Sequence, residues 1–393
     1  MVTISLIQNA LDVIAPQVHK TPLIYSNSFS RMFGAELYLK AENLQKTGSF
    51  KVRGAFNKLI QTRPEKVIAA SMGNHAQGVA YAATSLGMKA TIVMPIRASI
   101  VKQEATRGYG AEVILHGDSF NDALDFALAQ KGYTFIHAFD DEDIIAGQGT
   151  IGIEICDELK NIDAVLVPIG GGGLISGIAV AVKSLSPRTE VIGVQTAAAP
   201  SAYASFHAKR LTAVSPQPTI ADGIAVGRIG ATTFEIIQRY VDDVVTVTEE
   251  SIAKAVLLFL ERKKLVVEGA GAVSLAALFE AGERFKGKKV VLVVSGGNID
   301  FTIVDRIIHK SLVSSGRIGV IKVIVGDMPG NLHKLTGIIA SYGANILTVV
   351  HDRLSQDLPI GMTTVIFTLE TKGHEHLQEI ASSIKEAGFT LHS

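Results

Sequence analysis

Residues 164–182, AVLVPIGGGGLISGIAVAV, determine the fold class predicted for this chain. The stretch is uncharged and long enough to count as a membrane-span candidate. Pro168 and the glycines Gly170 to Gly173 interrupt it, and such residues end regular structure and favour turns. A buried strand, a glycine loop and a helix are therefore the better interpretation, and this order is the repeating unit of α/β proteins.

Short β-rich runs alternate with stretches of helical spacing from about residue 35 to about residue 310. This alternation predicts an α/β fold with mostly parallel sheets. It is too long for one doubly wound sheet, so we expect two lobes, a small one over approximately 35–145 and a large one formed by the rest, with a cleft between them. The runs are Leu37–Lys40, Val67–Ala70, Thr91–Met94, Val113–Leu115, Val165–Pro168, Val191–Val194 and Val290–Val294.

The pattern changes at Ser314-Ser315-Gly316, which predicts a linker between residues 1–314 and 315–393. From Arg317 the predicted order is strand, helix, strand, strand, helix and a last short strand. This βαββαβ order is typical of a ferredoxin-like module. Such a module has a sheet face and edges to bury, so we expect a homodimer or homotetramer.

The composition excludes several classes of partner. Lys plus Arg and Asp plus Glu number 37 each and no basic tract occurs, so neither nucleic acid nor membrane is expected as a partner. The single cysteine, Cys156, fits a reducing cytoplasm. The N-terminal residues 1–16 predict an amphipathic helix rather than a signal peptide. Small molecules and other subunits are the expected partners.

Residues 47–55, TGSFKVRGA, contain the first candidate for chemistry. They interrupt an alternating strand and open a helix near Ser49. The ammonium form of Lys51 is disfavoured near the positive end of a helix and in a dry cleft, so the free amine that Schiff-base chemistry needs becomes accessible. An ordinary exposed lysine is the alternative.

Three further stretches follow predicted strands. Consecutive backbone N–H groups of Gly170 to Gly173 can bind a phosphate at a helix start. Residues 71–78, SMGNHAQG, offer backbone donors suited to a carboxylate, and Ser295 places a hydroxyl at a third strand end. No second histidine or carboxylate lies near His75 at the spacing that metal ligands have in sequence. A packing or helix-start role for His75 is therefore favoured over a metal site.

Binding of a nucleotide at the glycine loop is disfavoured. In a dinucleotide motif, Ser176 would occupy the third glycine position, and the next strand ends in Gln195 instead of an acidic residue. The stretch does not match the P-loop motif either, because no Gly-Lys-Ser/Thr follows the glycines.

Together these stretches resemble the serine/threonine dehydratase branch of the fold-type II pyridoxal-phosphate enzymes, and the resemblance covers nearly the whole chain. It implies a two-lobed catalytic domain with pyridoxal 5′-phosphate bound to Lys51 as an internal aldimine. Lys51 would also take the α-proton. The implied reaction is β-elimination of L-threonine to 2-oxobutanoate and ammonia, and of L-serine to pyruvate, in either a biosynthetic or a catabolic role.

The resemblance also assigns the remaining site residues. It implies that Asn74 bonds the cofactor's 3′-oxygen, that Phe50 packs against its ring and that Ser295 meets the pyridine nitrogen. The cofactor-binding positions are Phe50, Lys51, Asn74, Gly170, Gly171, Gly172, Gly173, Leu174, Gly223 and Ser295. The substrate-binding positions are Ser71, Met72, Gly73, Asn74 and His75.

The C-terminal module resembles an ACT domain through residues 327–332, DMPGNL, and 341–346, SYGANI. Domains of that family bind an amino acid at the first strand-to-helix turn. Gly330 and Asn331 are therefore the candidates for a regulatory site. A structural or dimerising module without a ligand is the alternative.

The sequence departs from related enzymes at two places. Met72 stands where a racemase has a serine proton donor, and a thioether cannot protonate a carbanion, so racemisation is disfavoured. Gln195 and Ser201 stand where acidic ligands of a structural cation are expected, so no metal is predicted there. Residues 242–243, a pair of aspartates, leave a metal as the less favoured alternative.

Three other functions stay open at this point. A β-replacement enzyme such as a cysteine synthase would share the lysine and the phosphate loop. A non-catalytic amino-acid sensor would keep the ACT-like turn and show no turnover. A nicotinamide enzyme would have to bind a dinucleotide.

Overall fold

The computed structural model describes residues 1–353 and 358–392. The chain forms two compact units, Met1–Asp300 and Phe301–Ser393. The second unit thus begins before the boundary expected at 314, because the helix Phe301–Ser314 is grouped with it.

The first unit contains two sheets. Its strands are β1 (Leu23–Tyr25), β2 (Glu36–Ala41), β3 (Lys66–Ala70), β4 (Lys89–Met94), β5 (Glu112–Leu115), β6 (Thr134–Phe135), β7 (Ala164–Pro168), β8 (Glu190–Thr196), β9 (Asp243–Val247) and β10 (Lys289–Val294).

The larger sheet has the order β1-β2-β10-β7-β8-β9, and all its neighbours run parallel except the pair β1 and β2. The smaller sheet has the parallel order β5-β4-β3-β6. Strand β2 pairs with β10 over the full length of both strands, from Glu36↔Lys289 to Ala41↔Val294. The sheet of the small lobe therefore begins at Lys66, whereas the sequence placed β2 in that lobe.

Helices alternate with the strands of the first unit. They are α1 (Ile4–Ile14), α2 (Asn27–Phe33), α3 (Lys51–Thr62), α4 (Asn74–Ser85), α5 (Ile100–Gly108), α6 (Phe120–Ala129), α7 (Glu142–Glu158), α8 (Gly173–Leu185), α9 (Ser201–Ala208), α10 (Ala231–Tyr240), α11 (Glu249–Leu258) and α12 (Gly269–Ala281). Short 3₁₀ turns span Glu42–Leu44, Asp222–Ile224 and Gly282–Phe285, and a π-helical turn spans Phe259–Lys263.

Each lobe has its own apolar core. The small-lobe core joins β3 and β4 to the buried faces of α3 and α4. The large-lobe core joins β7, β8 and β10 to α8. Helix α7 packs against both α3 and α8 and is buried from Ile144 to Cys156. Because α3 and α8 carry the predicted lysine and glycine loop, α7 fixes the two candidate sites relative to each other.

The second unit is an antiparallel sheet with helices. Its strands have the order β12-β13-β11-β14, and an apolar core fills the space between the sheet and two helices. The elements are α13 (Phe301–Ser314), β11 (Ile318–Gly326), α14 (Asn331–Ser341), β12 (Asn345–Asp352), β13 (Met362–Glu370), α15 (His374–Glu386) and β14 (Thr390–Leu391).

The structure confirms the predicted fold class. A two-lobed α/β unit with mostly parallel sheets is followed by a module of βαββαβ order. The uncharged stretch 164–182 forms β7 and most of α8. Among the described residues, no helix combines the length and apolar character that crossing a membrane requires.

Candidate active site

Lys51 is the first residue of α3, and the residues before it are fixed to the segment that follows β10. The Phe50 N–H donates to the Ser295 carbonyl at 3.1 Å, and the Gly297 N–H donates to the Gly48 carbonyl at 2.9 Å. These bonds join two stretches that are remote in sequence. They place the predicted lysine and the predicted Ser295 side by side at the carboxyl end of an inner strand of the larger sheet.

The Lys51 amine lies in a partly buried position without an ion pair among the described residues. Its Nζ donates to the Ala138 carbonyl at 2.8 Å and lies 5.2 Å from the centre of the Phe50 ring. Desolvation by burial lowers the pKa of Lys51 from 10.5 to about 8, although the nearby Glu268, in its ionised form, opposes the change. The neutral, nucleophilic amine is therefore far more populated near neutral pH than on a free lysine.

The glycine loop after β7 is a prepared anion site. Gly172 adopts φ +98°, a conformation that side chains rarely allow, and α8 begins at the next residue. In the described part of the chain, no acceptor faces the backbone N–H groups of Gly170 to Leu174. These unpaired donors and the positive end of α8 point to a phosphate ligand.

A loop that the sequence did not single out, residues 137–140, links Lys51 to this anion site. Its Ala138 carbonyl accepts the Lys51 bond. The Phe139 ring packs against the glycines so closely that a Cβ added to Gly171 would lie 2.2 Å from the Phe139 Cδ1. The Asp140 carboxylate accepts from the N–H groups of Ala231 and Thr232, each at 3.0 Å, at the start of α10.

The remaining cofactor candidates lie next to these groups. The Ser295 hydroxyl faces the Ala270 carbonyl at 3.4 Å, and a Cβ added to Gly223 would lie 3.2 Å from the Ala270 Cβ. A Cβ added to Gly170 would lie 3.5 Å from the Gly223 carbonyl oxygen. The structure therefore brings Gly223 next to the glycine loop, and it brings both Gly223 and Ser295 next to Ala270.

The predicted substrate loop runs from the end of β3 into α4. The Gly73 N–H donates to the Ser71 hydroxyl at 3.2 Å, and the Met72 side chain is exposed. Helix α4 begins at Asn74, so Asn74 and His75 contribute the N–H groups of a helix start instead of a free loop.

The His75 ring is buried behind the loop. Its Nε2 lies 2.9 Å from the Ile136 carbonyl. Burial, and secondly the charge of Lys51, lowers the pKa of His75 to about 3. The ring stays neutral near neutral pH, which is consistent with the packing role predicted for this residue.

Two residues outside the predicted set hold Asn74. The Asn74 Nδ2 donates to the Glu268 Oε1 at 2.7 Å, and the Asn298 Nδ2 donates to the Asn74 Oδ1 at 2.8 Å. Asn298 belongs to the strand-end stretch 295–298, which was a usable signal. Glu268 gave only a weak signal, an isolated acid before the uncharged start of α12.

A buried ionic cluster supports the start of α3. The Arg53 guanidinium donates to the Glu42 Oε1 at 2.8 Å and to the Glu154 Oε1 at 2.6 Å, and the Lys40 Nζ lies 2.6 Å from the Glu154 Oε2. All four side chains are buried. The cluster thus ties β2, the Glu42–Leu44 turn and α7 to the helix that carries Lys51.

No metal was predicted at Gln195 and Ser201, and there both side chains contact other protein groups. The Gln195 Oε1 accepts from the Ala202 N–H at 2.8 Å, and its Nε2 faces the Ser201 hydroxyl at 3.4 Å. Asp242 and Asp243 form ion pairs with Lys183 and Arg284. The described residues contain no cluster of three or more His, Cys, Asp or Glu side chains suited to a metal. The predicted absence of a metal stays a prediction.

In the second unit, Gly330 and Asn331 lie at the turn between β11 and α14. Gly330 adopts φ +94°, and the Asn331 Nδ2 donates to the Gly326 carbonyl at 2.9 Å. Both residues line a pocket of about 320 Å³. Its charged lining includes Asp327, whose carboxylate accepts from the Arg353 Nε at 2.9 Å.

Comparison with known proteins identifies similar chains. Residues 14–296 match the family described as pyridoxal-phosphate dependent enzyme. The chain is 49% identical to the L-threonine ammonia-lyase of Thermotoga maritima over 398 aligned positions, which cover 100% of this chain and 99% of that protein. It is 47% identical to the L-threonine ammonia-lyase of Geobacter sulfurreducens, with the same coverage. The crystal structure of a threonine deaminase from T.th. is 44% identical, has a TM-score of 0.73, and covers 76% of this chain and 99% of that chain.

Proposed function

The chain belongs to the family of pyridoxal-phosphate-dependent enzymes, and from that premise we propose that it converts L-threonine to 2-oxobutanoate and ammonia. One observation supports this most directly: the Lys51 amine, with its pKa lowered to about 8, lies at a strand end that also holds Ser295. The relatives that are named for threonine support threonine as the substrate.

The residues fit pyridoxal 5′-phosphate. The N–H groups of Gly170 to Leu174 would hold its phosphate, Lys51 its aldehyde carbon and Ser295 its pyridine nitrogen. Asn74 would bond the 3′-oxygen, while Phe50 and Gly223 would border the ring. When bound, this cofactor supplies an electron sink for the negative charge that develops at the substrate's α-carbon.

The chain's own groups then perform two tasks. Within the loop 71–75, the N–H groups of Met72, Asn74 and His75 have no acceptor among the described residues, and these groups would bind the substrate carboxylate at the start of α4 and fix its orientation. The neutral Lys51 amine, once free, accepts the α-proton. Loss of the β-hydroxyl removes one water, and hydrolysis of the resulting enamine takes up one water and releases ammonia, so the overall reaction consumes no water.

Two residues favour elimination over other outcomes. Met72 offers no proton to the α-carbon from the side of the substrate loop. Ser295 would offer a hydroxyl instead of a carboxylate to the pyridine nitrogen, and this contact would not favour protonation of that nitrogen. L-Serine has the same leaving group, so we include its conversion to pyruvate in the proposal.

The test is release of 2-oxo acid from threonine and serine by the purified protein, with and without added pyridoxal phosphate. The variant Lys51→Ala should lose at least about a thousandfold of the activity, because it removes both the anchor and the base. The matched control Lys89→Ala changes an exposed lysine at the start of β4 and should keep full activity. Product that requires added sulfide would instead indicate β-replacement, and bound cofactor without turnover would indicate a sensor.

Regulation is part of the same proposal. We expect an amino acid to bind at Gly330 and Asn331, where Asp327 and Arg353 offer both charges that a zwitterion needs. We further propose a cytoplasmic homodimer or homotetramer. Light scattering after gel filtration gives the oligomeric state, and a calorimetric screen of the common amino acids gives the effector.

A further inference from the structure

Glu268 is a buried carboxylate without a cationic partner among the described residues. The buried acidic side chains in that part of the chain are Glu42, Glu154 and Glu268. Glu42 and Glu154 form ion pairs with Arg53, whereas no ion pair to Glu268 is present in the described part of the chain. A buried charge without a partner is costly, and such groups concentrate at functional sites.

The one strong contact of the Glu268 side chain within the described residues is with Asn74. The Asn74 side-chain amide has one oxygen that accepts hydrogen bonds and two N–H groups that donate them. Its oxygen accepts from the Asn298 Nδ2 at 2.8 Å, and that same Nδ2 donates to the Thr47 carbonyl at 2.8 Å. A carbonyl can only accept, so Thr47 fixes the orientation of Asn298, and Asn298 in turn fixes the Asn74 oxygen.

Glu268 then takes one of the two Asn74 N–H groups. The bond from the Asn74 Nδ2 to the Glu268 Oε1 is 2.7 Å long. With the oxygen and one N–H engaged, a single N–H remains for a ligand. We propose that Glu268 is a positioning residue whose oxygen holds the Asn74 amide so that its remaining N–H faces the cofactor's ring oxygen; this inference rests on the proposed function.

The surroundings of Glu268 favour its neutral form. Burial, and secondly the carboxylate of Asp222, raises the pKa of Glu268 to about 8. The bond from Asn74 and the charges of Lys102 and Lys51 oppose the rise. A protonated carboxyl keeps a carbonyl oxygen that accepts from Asn74, so the contact exists in both protonation states.

Two substitutions of Glu268 differ in whether they keep the hydrogen-bond acceptor for Asn74. Glu268→Gln keeps an oxygen that can accept from Asn74 and resembles the protonated acid. Glu268→Ala removes the acceptor and leaves the amide free to turn. Glu280→Gln is the matched control, because Glu280 is likewise a hydrogen-bonded acid but lies near the far end of α12, about 18 Å from Glu268 at 1.5 Å per residue.

The experiment measures the dissociation constant of pyridoxal phosphate by titration, the absorbance spectrum of the bound cofactor and the thermal unfolding midpoint. Glu268→Ala should weaken cofactor binding by at least about tenfold, as expected for a lost hydrogen bond to a charged or polar buried group, and should shift the spectrum. Glu268→Gln should stay within about threefold of the wild type and keep the wild-type spectrum.

A double-mutant cycle isolates the positioning role. If Glu268 acts through Asn74, the double variant Asn74→Ala/Glu268→Ala should bind the cofactor no more weakly than Asn74→Ala alone. Additive losses would overturn the inference, as would wild-type binding by Glu268→Ala. A loss in folded Glu268→Gln equal to that in Glu268→Ala would also overturn it, because the charge and not the acceptor would then matter.

The controls separate this inference from the proposed function. If the wild type and Glu280→Gln bind no cofactor and release no 2-oxobutanoate, the proposed function fails. If both bind and turn over while Glu268→Ala is indistinguishable from them, only the role of Glu268 fails.

Discussion

Replacing Arg53 with Met tests how the structure holds the helix that carries Lys51. The Arg53 side chain is fully buried and bonds both Glu42 and Glu154, while Lys40 pairs with Glu154. Two cations thus balance two carboxylates. In Arg53→Met, Lys40 still neutralises Glu154, but Glu42 keeps only the Thr21 hydroxyl as a donor in the described surroundings.

The magnitude follows from this loss of charge balance. Removing one partner of a buried ion pair costs about 3–5 kcal/mol, because the other charge stays buried and unpaired. Typical unfolding free energies are about 5–15 kcal/mol, so the variant should lose a large part of its stability. For a unit of this size we expect the thermal midpoint to fall by roughly 5–15 °C.

Arg284→Met is the matched control. Arg284 also pairs with two acids, at 3.0 Å to Glu190 and 2.5 Å to Asp243, but its side chain is 34% exposed. Solvent screens such pairs, so their loss should cost about 1 kcal/mol or less. Urea and thermal unfolding of both cofactor-free variants, followed by circular dichroism, give the comparison.

A double variant provides a second check. The double variant Arg53→Met/Glu42→Gln removes the unpaired charge and should recover about half of the loss in stability. Equal losses in Arg53→Met and Arg284→Met, with no recovery in the double variant, would refute the reasoning.

Three further predictions concern single residues. Because the folded-state pKa of Lys51 is lowered from 10.5 to about 8, Lys51→Met should stabilise the cofactor-free protein by roughly 1–3 kcal/mol near neutral pH. This gain in stability should vanish as pH rises towards 10.5. Equal thermal midpoints of the variant and the wild type at neutral pH would contradict the prediction. A methyl group at Gly171 would lie 2.2 Å from the Phe139 ring, so Gly171→Ala should weaken cofactor binding by at least about tenfold. A methyl group at Gly108 would have no neighbouring atom within 4 Å, so Gly108→Ala should bind the cofactor as tightly as the wild type in the same titration. Asn331→Ala should weaken calorimetric binding of the effector amino acid by about tenfold because the turn loses its 2.9 Å tie to the end of β11; unchanged affinity would argue for a structural module.

The sequence was sufficient wherever the signal is local. Short apolar, β-rich runs bounded by glycine or proline placed β7 and β10 correctly, because such patterns depend only on neighbouring residues. The glycine loop and the order of elements in the second unit were predictable for the same reason. The start of α4 at Asn74 was not, because Gly73 and Asn74 also suit a loop.

Contacts between remote residues were beyond this reasoning. Nothing in residues 36–41 indicates that β2 pairs with β10 instead of joining the small lobe. The bond between Asn74 and Glu268 joins positions 194 residues apart. The link from Lys51 to Ala138 passes through a loop without periodicity. Such partners follow from the topology of the fold, which local patterns do not specify.

The most direct test of the central claim locates the cofactor on the chain. The wild-type protein is incubated with pyridoxal phosphate, reduced with borohydride, digested and mapped by mass spectrometry. We predict one dominant modified peptide, in which Lys51 carries the reduced cofactor, and the loss of this peptide when L-threonine is present in excess during the reduction. Labelling spread over exposed lysines, or a dominant adduct on another lysine, would contradict it.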